Sequence, residues 1–207
     1  MLDSIQEHLE NIYGIRCEYR ARDFLVTDPE AARQLGGSAR AREELLVSEG
    51  SEGLELALYL DPELLSRVSA ARGPLDGDLG DFCEVAEGVS HFLYVAQAAE
   101  LNRSVSLLEL EAQAEVDKFA ICTLLGWSQH VGRWAGTLVK RLFEQVQFRG
   151  HLDAAEQWRY SEANRLGKRY ASRLLPLVQS ARLEKLLSEL RHAYRLGAEA
   201  KLAYFAR

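Results

Sequence analysis

The stretch Arg72-Gly73-Pro74-Leu75-Asp76-Gly77-Asp78-Leu79-Gly80 separates two differently patterned parts of the 207-residue chain. Its glycines admit backbone conformations closed to other residues, and Pro74 fixes φ and removes a donor, so no regular element passes through it. The aspartates lack the spacing and closing glutamate of an EF-hand loop, and read instead as a turn followed by a helix cap. The division is therefore expected here. Residues 1–75 form a small α/β lobe and 76–207 a helical bundle domain.

Upstream of the loop, Leu54, Leu56, Leu58 and Leu60 alternate with Glu55, Ala57 and Tyr59. A period of two is the signature of a strand with one face on a core. Leu45-Leu46-Val47 supplies a second strand, and the connection Glu49-Gly50-Ser51-Glu52-Gly53 suits a β-hairpin. Asp28-Pro29 and Asp61-Pro62 each open a short helix, with proline at the first helical position, and residues 3–12 form another. Phe24-Leu25-Val26 is a short apolar run, and Gly36-Gly37 ends the helix before it reaches the hairpin.

Downstream the period changes to that of a helix. Helices are expected over about 81–100, 107–125, 129–148, 153–175, 177–196 and 198–206. Ser106-Leu107-Leu108-Glu109 has the form of a capping box, Ser128 caps the next helix, and Gly126, Gly150 and Pro176 act as punctuation. The fold expected is mainly α: a C-terminal antiparallel helical bundle with a small N-terminal α/β lobe containing the hairpin.

Composition narrows the function classes. No apolar run approaches the roughly 18 residues of a membrane span, and no leader pattern opens the chain. Cys17, Cys83 and Cys122 are odd in number and form no CxxC pair, which argues against a disulfide framework or a thiolate zinc site. A soluble cytoplasmic protein without a membrane partner is expected. The net charge of −6 hides an asymmetry: residues 1–118 hold 10 Lys/Arg against 24 Asp/Glu, a balance of −14, while 119–207 hold 15 against 7, a balance of +8. Such a chain either pairs its own surfaces or offers its basic part to an anionic partner. P-loop, Gly-x-Gly-x-x-Gly and Gly-x-Ser-x-Gly patterns are all missing, which disfavours common nucleotide enzymes and serine hydrolases.

Acids at unexpected positions mark the candidate site. On the helix 107–125, Leu107, Leu110, Ala114, Ile121 and Leu125 define an apolar face, with Glu109, Ala112, Gln113, Ala120 and Thr123 expected outward. Glu111, Glu115 and Lys118 fall on or beside the apolar face, where an unpaired carboxylate is costly. They either form internal salt bridges, Lys118 being within reach of Glu115, or line a cleft. The preceding helix carries Glu84, Glu87 and His91, with Gly88 and Ser90 allowing close approach by a backbone or ligand. Carboxylate and imidazole one turn apart suit Zn, Fe or Mn, so Glu84, Glu87, His91, Glu111 and Glu115 are candidate divalent-metal ligands. Glu87, His91, Glu115 and Lys118 are also the catalytic candidates, although the Glu-x-x-His and His-Glu-x-x-His signatures are absent.

A second candidate surface lies on the helix 153–175. Tyr160, Ala163, Leu166, Tyr170, Ala171 and Leu174 face inward, opposite Trp158, Glu162, Arg165, Lys168, Arg169 and Arg173. Trp158 with Arg165, Arg169 and Arg173 can grip phosphates, stack on bases or contact a protein; alternatively Arg165 or Arg169 pairs with Glu111 or Glu115 inside the bundle. Three functions follow. The leading one is a cytoplasmic binding or adaptor protein holding a protein partner, a second copy of itself or an anionic ligand through a polar cleft. The alternatives are a metal-dependent hydrolase or phosphodiesterase, and a nucleic-acid-binding protein using the basic C-terminal half.

Overall fold

The computed structural model describes residues 1–38, 41–50, 53–72, 76–127, 131–145 and 152–207. The hairpin tip at Ser51 and Glu52, part of the dividing loop at 73–75, and Ser128, His130, Gly150 and His151 lie outside them. The described residues form nine α-helices, one 3-10 turn and a three-stranded mixed sheet, the mainly α fold with a small α/β lobe. None of these helices is long and apolar enough to cross a membrane. By packing, the chain falls into two compact units: Met1–Glu10 with Ile15–Ser104, and Asn11–Gly14 with Val105–Arg207. The long helix after the dividing loop is thus grouped with the sheet, whereas the sequence reading opened the bundle domain at residue 76.

In the first unit, α1 (Leu2–Tyr13, of which Glu10 is the last residue in this unit) is followed by a 3-10 turn at Ala21–Phe24, β1 (Leu25–Val26), α2 (Pro29–Gln34), β2 (Glu43–Gly50), β3 (Gly53–Leu60), α3 (Pro62–Ala70) and α4 (Leu79–Glu100). The starts of α2, α3 and α4 are fixed by aspartates. Asp28 accepts from Glu30 N (2.9 Å), Asp61 from Leu64 N (2.9 Å) and Asp78 from Asp81 N (3.0 Å). This meets donors that a helix start leaves without partners. It also settles the aspartate-rich loop as a helix cap. Strand order is β1-β3-β2, with β3 parallel to β1 and antiparallel to β2.

The alternation read from Leu54 to Leu60 works on both faces. Leu58 and Leu60 are fully buried on one face, which α4 packs against. Tyr59 forms a second cluster with Leu46 and with Ala32 of α2, flanked by Val26 and Ala57, on the other. Both strands of the hairpin extend beyond the apolar runs that announced them, because the ladder continues through polar residues as far as Glu43↔Leu60.

The second unit contains α5 (Leu107–Leu125), α6 (Val131–Phe143), α7 (Ala154–Gln179), α8 (Leu183–Tyr194) and α9 (Ala198–Phe205), joined by residues Asn11–Gly14. Helix α5 packs on α6, α7 and α9. Its face assignment from sequence is overturned. Glu109, Ala112, Gln113, Ala120 and Thr123, expected outward, are buried, and Leu107 is 60% exposed. A helix enclosed on all sides has no outward stripe for a 3.6-residue pattern to reveal. Gly167 of α7 sits where an added Cβ would lie 2.6 Å from Glu115 Cβ and 3.0 Å from Phe143 Cε1, so glycine permits the close α5–α7 contact. The break expected at Pro176 is also displaced. Helix α7 runs through Pro176 to Gln179, and the chain turns at Ala181, whose φ is 53°. Pro176 forgoes one helical donor near the end of the helix, while its carbonyl accepts from Ser180 N (3.1 Å) and Ser180 Oγ (2.6 Å).

Candidate metal centre

Glu87 and His91 stand one turn apart on α4 and share a face. A third ligand-type side chain comes from the sheet. Glu43 opposes Leu60 and Leu45 opposes Leu58 in the β2–β3 register. Directly opposed residues share a face, so Glu43 lies on the α4 side of the sheet, the side of Leu58 and Leu60. Gly88 is the point of closest approach: a Cβ there would lie 2.9 Å from Glu43 Cγ and 3.0 Å from Leu58 Cδ1. Any side chain at position 88 would thus press Glu43 away from the helix.

The donor atoms of Glu43, Glu87 and His91 all lie within 4.8 Å of one another. His91 Nδ1 is 3.4 Å from Glu43 Oε1, with side-chain exposures of 8% and 9%. The contact is a long hydrogen bond, beyond the about 2.7–2.9 Å of charge-assisted ones. Its length equals the edge of a tetrahedron with bonds of about 2.1 Å, the length of zinc–nitrogen and zinc–oxygen bonds. Two carboxylates and one neutral imidazole also supply the charge that a divalent first-row ion requires.

The other expected ligands stand elsewhere. Glu84 meets the guanidinium of Arg42 at 3.1 Å, and Arg42 also bonds Asp81 at 2.6 Å. Arg67 closes on the same Asp81 at 2.6 Å. These contacts, with the Arg67 hydrogen bond foremost, hold the Asp81 carboxyl below its ordinary pKa. In the second unit Glu111 is 3.6 Å from Arg159, and Glu115 is 3.0 Å from Lys118, the pairing that helical spacing suggested.

The arginine face of α7 is engaged within its own unit. Arg165 forks onto Glu162 at 2.7 and 2.6 Å, Lys168 meets Glu144 at 3.0 Å, and Arg169 bonds the Arg207 backbone oxygen at 3.1 Å. Arg173 bonds Tyr204 O at 2.9 Å and stacks between the rings of Tyr170 and Tyr204. Trp158 is 61% exposed.

Sequence reasoning named Glu87 and His91 but missed Glu43. The signal was present in the hairpin: extending its register back from Gly50↔Gly53 puts Glu43 opposite Leu60. Also missed was Lys201, which is fully buried together with Tyr13, Gln113 and Asp117. No family model, curated protein or solved structure matches the chain, so its class rests on fold and site: a mainly α protein with a small mixed sheet and a Glu–Glu–His cluster between sheet and helix.

Proposed function

We propose that this chain is a divalent-metal-binding protein whose ion is held by Glu43, Glu87 and His91. The observation that carries the reading is the 3.4 Å separation of Glu43 Oε1 and His91 Nδ1, with Glu87 in reach of both. The mixed oxygen–nitrogen set favours Zn, Fe or Mn over Ca and Mg, which take oxygen ligands, and over Cu(I), which takes thiolates. An ion here would tie the first residue of β2 to the middle of α4. The hydrolase reading needs, beyond this, a solvent path to the ion, and the low exposure of Glu43 and His91 supports a holding role first. The adaptor reading has exposed Trp158 as its support. It ranks second because the arginines that were to share its work already bond Glu162, Tyr204 and Arg207 of their own unit.

The test is calorimetric titration of the purified chain with Zn, Mn and Fe(II), alongside Glu43→Gln, Glu87→Gln, His91→Gln, Glu111→Gln and Glu115→Gln. One ion per chain is expected, with affinity falling at least about tenfold in each of the first three variants and unchanged in the last two. Absence of stoichiometric binding, or equal loss in all five, overturns the proposal.

A further inference from the structure

A buried polar chain of a different kind runs through the second unit. The Tyr13 hydroxyl donates to Asp117 Oδ1, and Gln113 Nε2 donates to the same oxygen at 2.7 Å. Gln113 Oε1 in turn accepts from Lys201 Nζ at 2.7 Å, and Lys201 also donates to Tyr194 O at 3.0 Å. Tyr13 stacks on Tyr194 with centroids 4.1 Å apart, and the Lys201 ammonium lies 5.1 Å from the Tyr194 ring centroid. All four polar side chains are at most 3% exposed.

The order of charges explains the order of residues. Gln113 stands between an anion and a cation, with its amide N–H toward Asp117 and its carbonyl toward Lys201. That orientation is favourable to both and fixes which end of the amide is which. Burial, reinforced by the Asp117 charge and hydrogen bond, pushes the Tyr13 hydroxyl well above its usual pKa, so it stays a donor. A side chain from a second helix secures the Tyr13 end: Arg191 Nε bonds Ile12 O at 2.9 Å and Arg191 Nη2 bonds Asn11 O at 3.1 Å. Gly14, at φ 64°, turns the chain away beside the same guanidinium.

From this we infer that Tyr13–Asp117–Gln113–Lys201 is a latch through which residues Asn11–Gly14 and helix α9, far apart in sequence, are seated or released together. If Lys201 leaves, Gln113 loses the donor to its carbonyl and its hold on Asp117 weakens. If Tyr13 leaves, Asp117 loses a donor, and Gln113 is drawn toward the carboxylate and away from Lys201. In a desolvated network these costs are not additive, so opening at one end lowers the cost of opening at the other. The latch therefore couples the docking of the last helix to that of Asn11–Gly14.

Hydrogen exchange on the full chain tests this, with Tyr13→Phe, Lys201→Met and a control outside both ends, Ser180→Ala, which removes the 2.6 Å bond from Ser180 Oγ to Pro176 O. Tyr13→Phe is expected to raise exchange across α9 about tenfold, and Lys201→Met to raise it reciprocally across Asn11–Gly14, while the control leaves Asn11–Gly14 unchanged. Should global unfolding mask local exchange, the double variant decides: a joint loss in the folding constant about tenfold smaller than the product of the single losses supports the latch. Effects confined to the end that carries the substitution, or multiplicative losses in the double variant, overturn it.

Discussion

Among the described residues, the polar cluster around Gln113 and the one around His91 are completed differently. In the second unit, Tyr13, Asp117, Gln113 and Lys201 satisfy one another through short, directional hydrogen bonds, with a donor aimed at each acceptor. In the first unit, Glu43, Glu87 and His91 bring ligand-type atoms within 4.8 Å of one another, and the Glu43–His91 hydrogen bond is long, at 3.4 Å. The difference teaches what separates a structural network from a ligand site. A closed donor–acceptor chain stabilises a fold by itself, whereas two carboxylates and an imidazole gathered within 4.8 Å offer a set of ligand atoms to a divalent cation.

Removing a charge from each cluster exposes the contrast most strongly. Asp117→Ala deprives Tyr13 and Gln113 of their common buried acceptor. A loss of about 3 kcal/mol or more is expected, read as a lower urea midpoint with an unchanged slope. Glu43→Ala removes one long hydrogen bond to His91 at a half-buried strand residue, and in metal-free solution should cost about 1 kcal/mol. Equal losses for the two would erase the distinction between the clusters.

The glycines beside the two helix contacts sharpen the comparison at smaller amplitude. At Gly167 the first atom met by a Cβ is Glu115 Cβ, fixed to the backbone of α5, so Gly167→Ala should cost about 1–3 kcal/mol. At Gly88 the first atom met is Glu43 Cγ, which can swing aside. Gly88→Ala should therefore cost about 1 kcal/mol or less in metal-free protein, and yet weaken ion binding about as much as Glu43→Gln. Full ion affinity in Gly88→Ala would remove Glu43 from the ligand set.

The sequence carried the architecture because the periods differ so clearly on either side of residues 72–80. The period-two leucines of β3 and the Asp-Pro helix starts are local signals, and local signals survive in a bare sequence. Glu87, His91 and the Glu115–Lys118 pair were legible for the same reason, each lying within one or two helical turns. What was not legible depended on contacts distant in sequence. Glu43 becomes a neighbour of His91 only through hairpin register and the packing of α4, and the burial of Lys201 depends on α9 docking beside α5. The α5 faces were misassigned because enclosure of a helix on all sides erases the amphipathic contrast from which faces are inferred. The arginines of α7 looked available because their spacing showed a stripe, but not the Glu162, Tyr204 and Arg207 atoms that occupy it.

The smallest expected effect concerns the ion pairs beside the Glu–Glu–His cluster, and its sign follows from Asp81. Arg67 and Arg42 lower the folded-state pKa of this carboxyl below the unfolded value of about 3.9. A lowered pKa means that the unfolded chain binds the proton more readily, so the stabilisation is full above the unfolded pKa and disappears as pH falls through the folded one. Arg67 is half exposed, at 49%, so solvent screens the pair and Arg67→Met should cost under about 1 kcal/mol at neutral pH. The same variant should lose less further stability on acidification, giving a shallower fall of the urea midpoint below about pH 4. Because Arg42 and Arg67 share Asp81 while Arg42 also holds Glu84, Arg42→Met should flatten the acid limb as well and additionally loosen the start of β2. An ion affinity lowered by Arg42→Met but not by Arg67→Met would then show that the strand's anchorage, rather than local charge, positions Glu43.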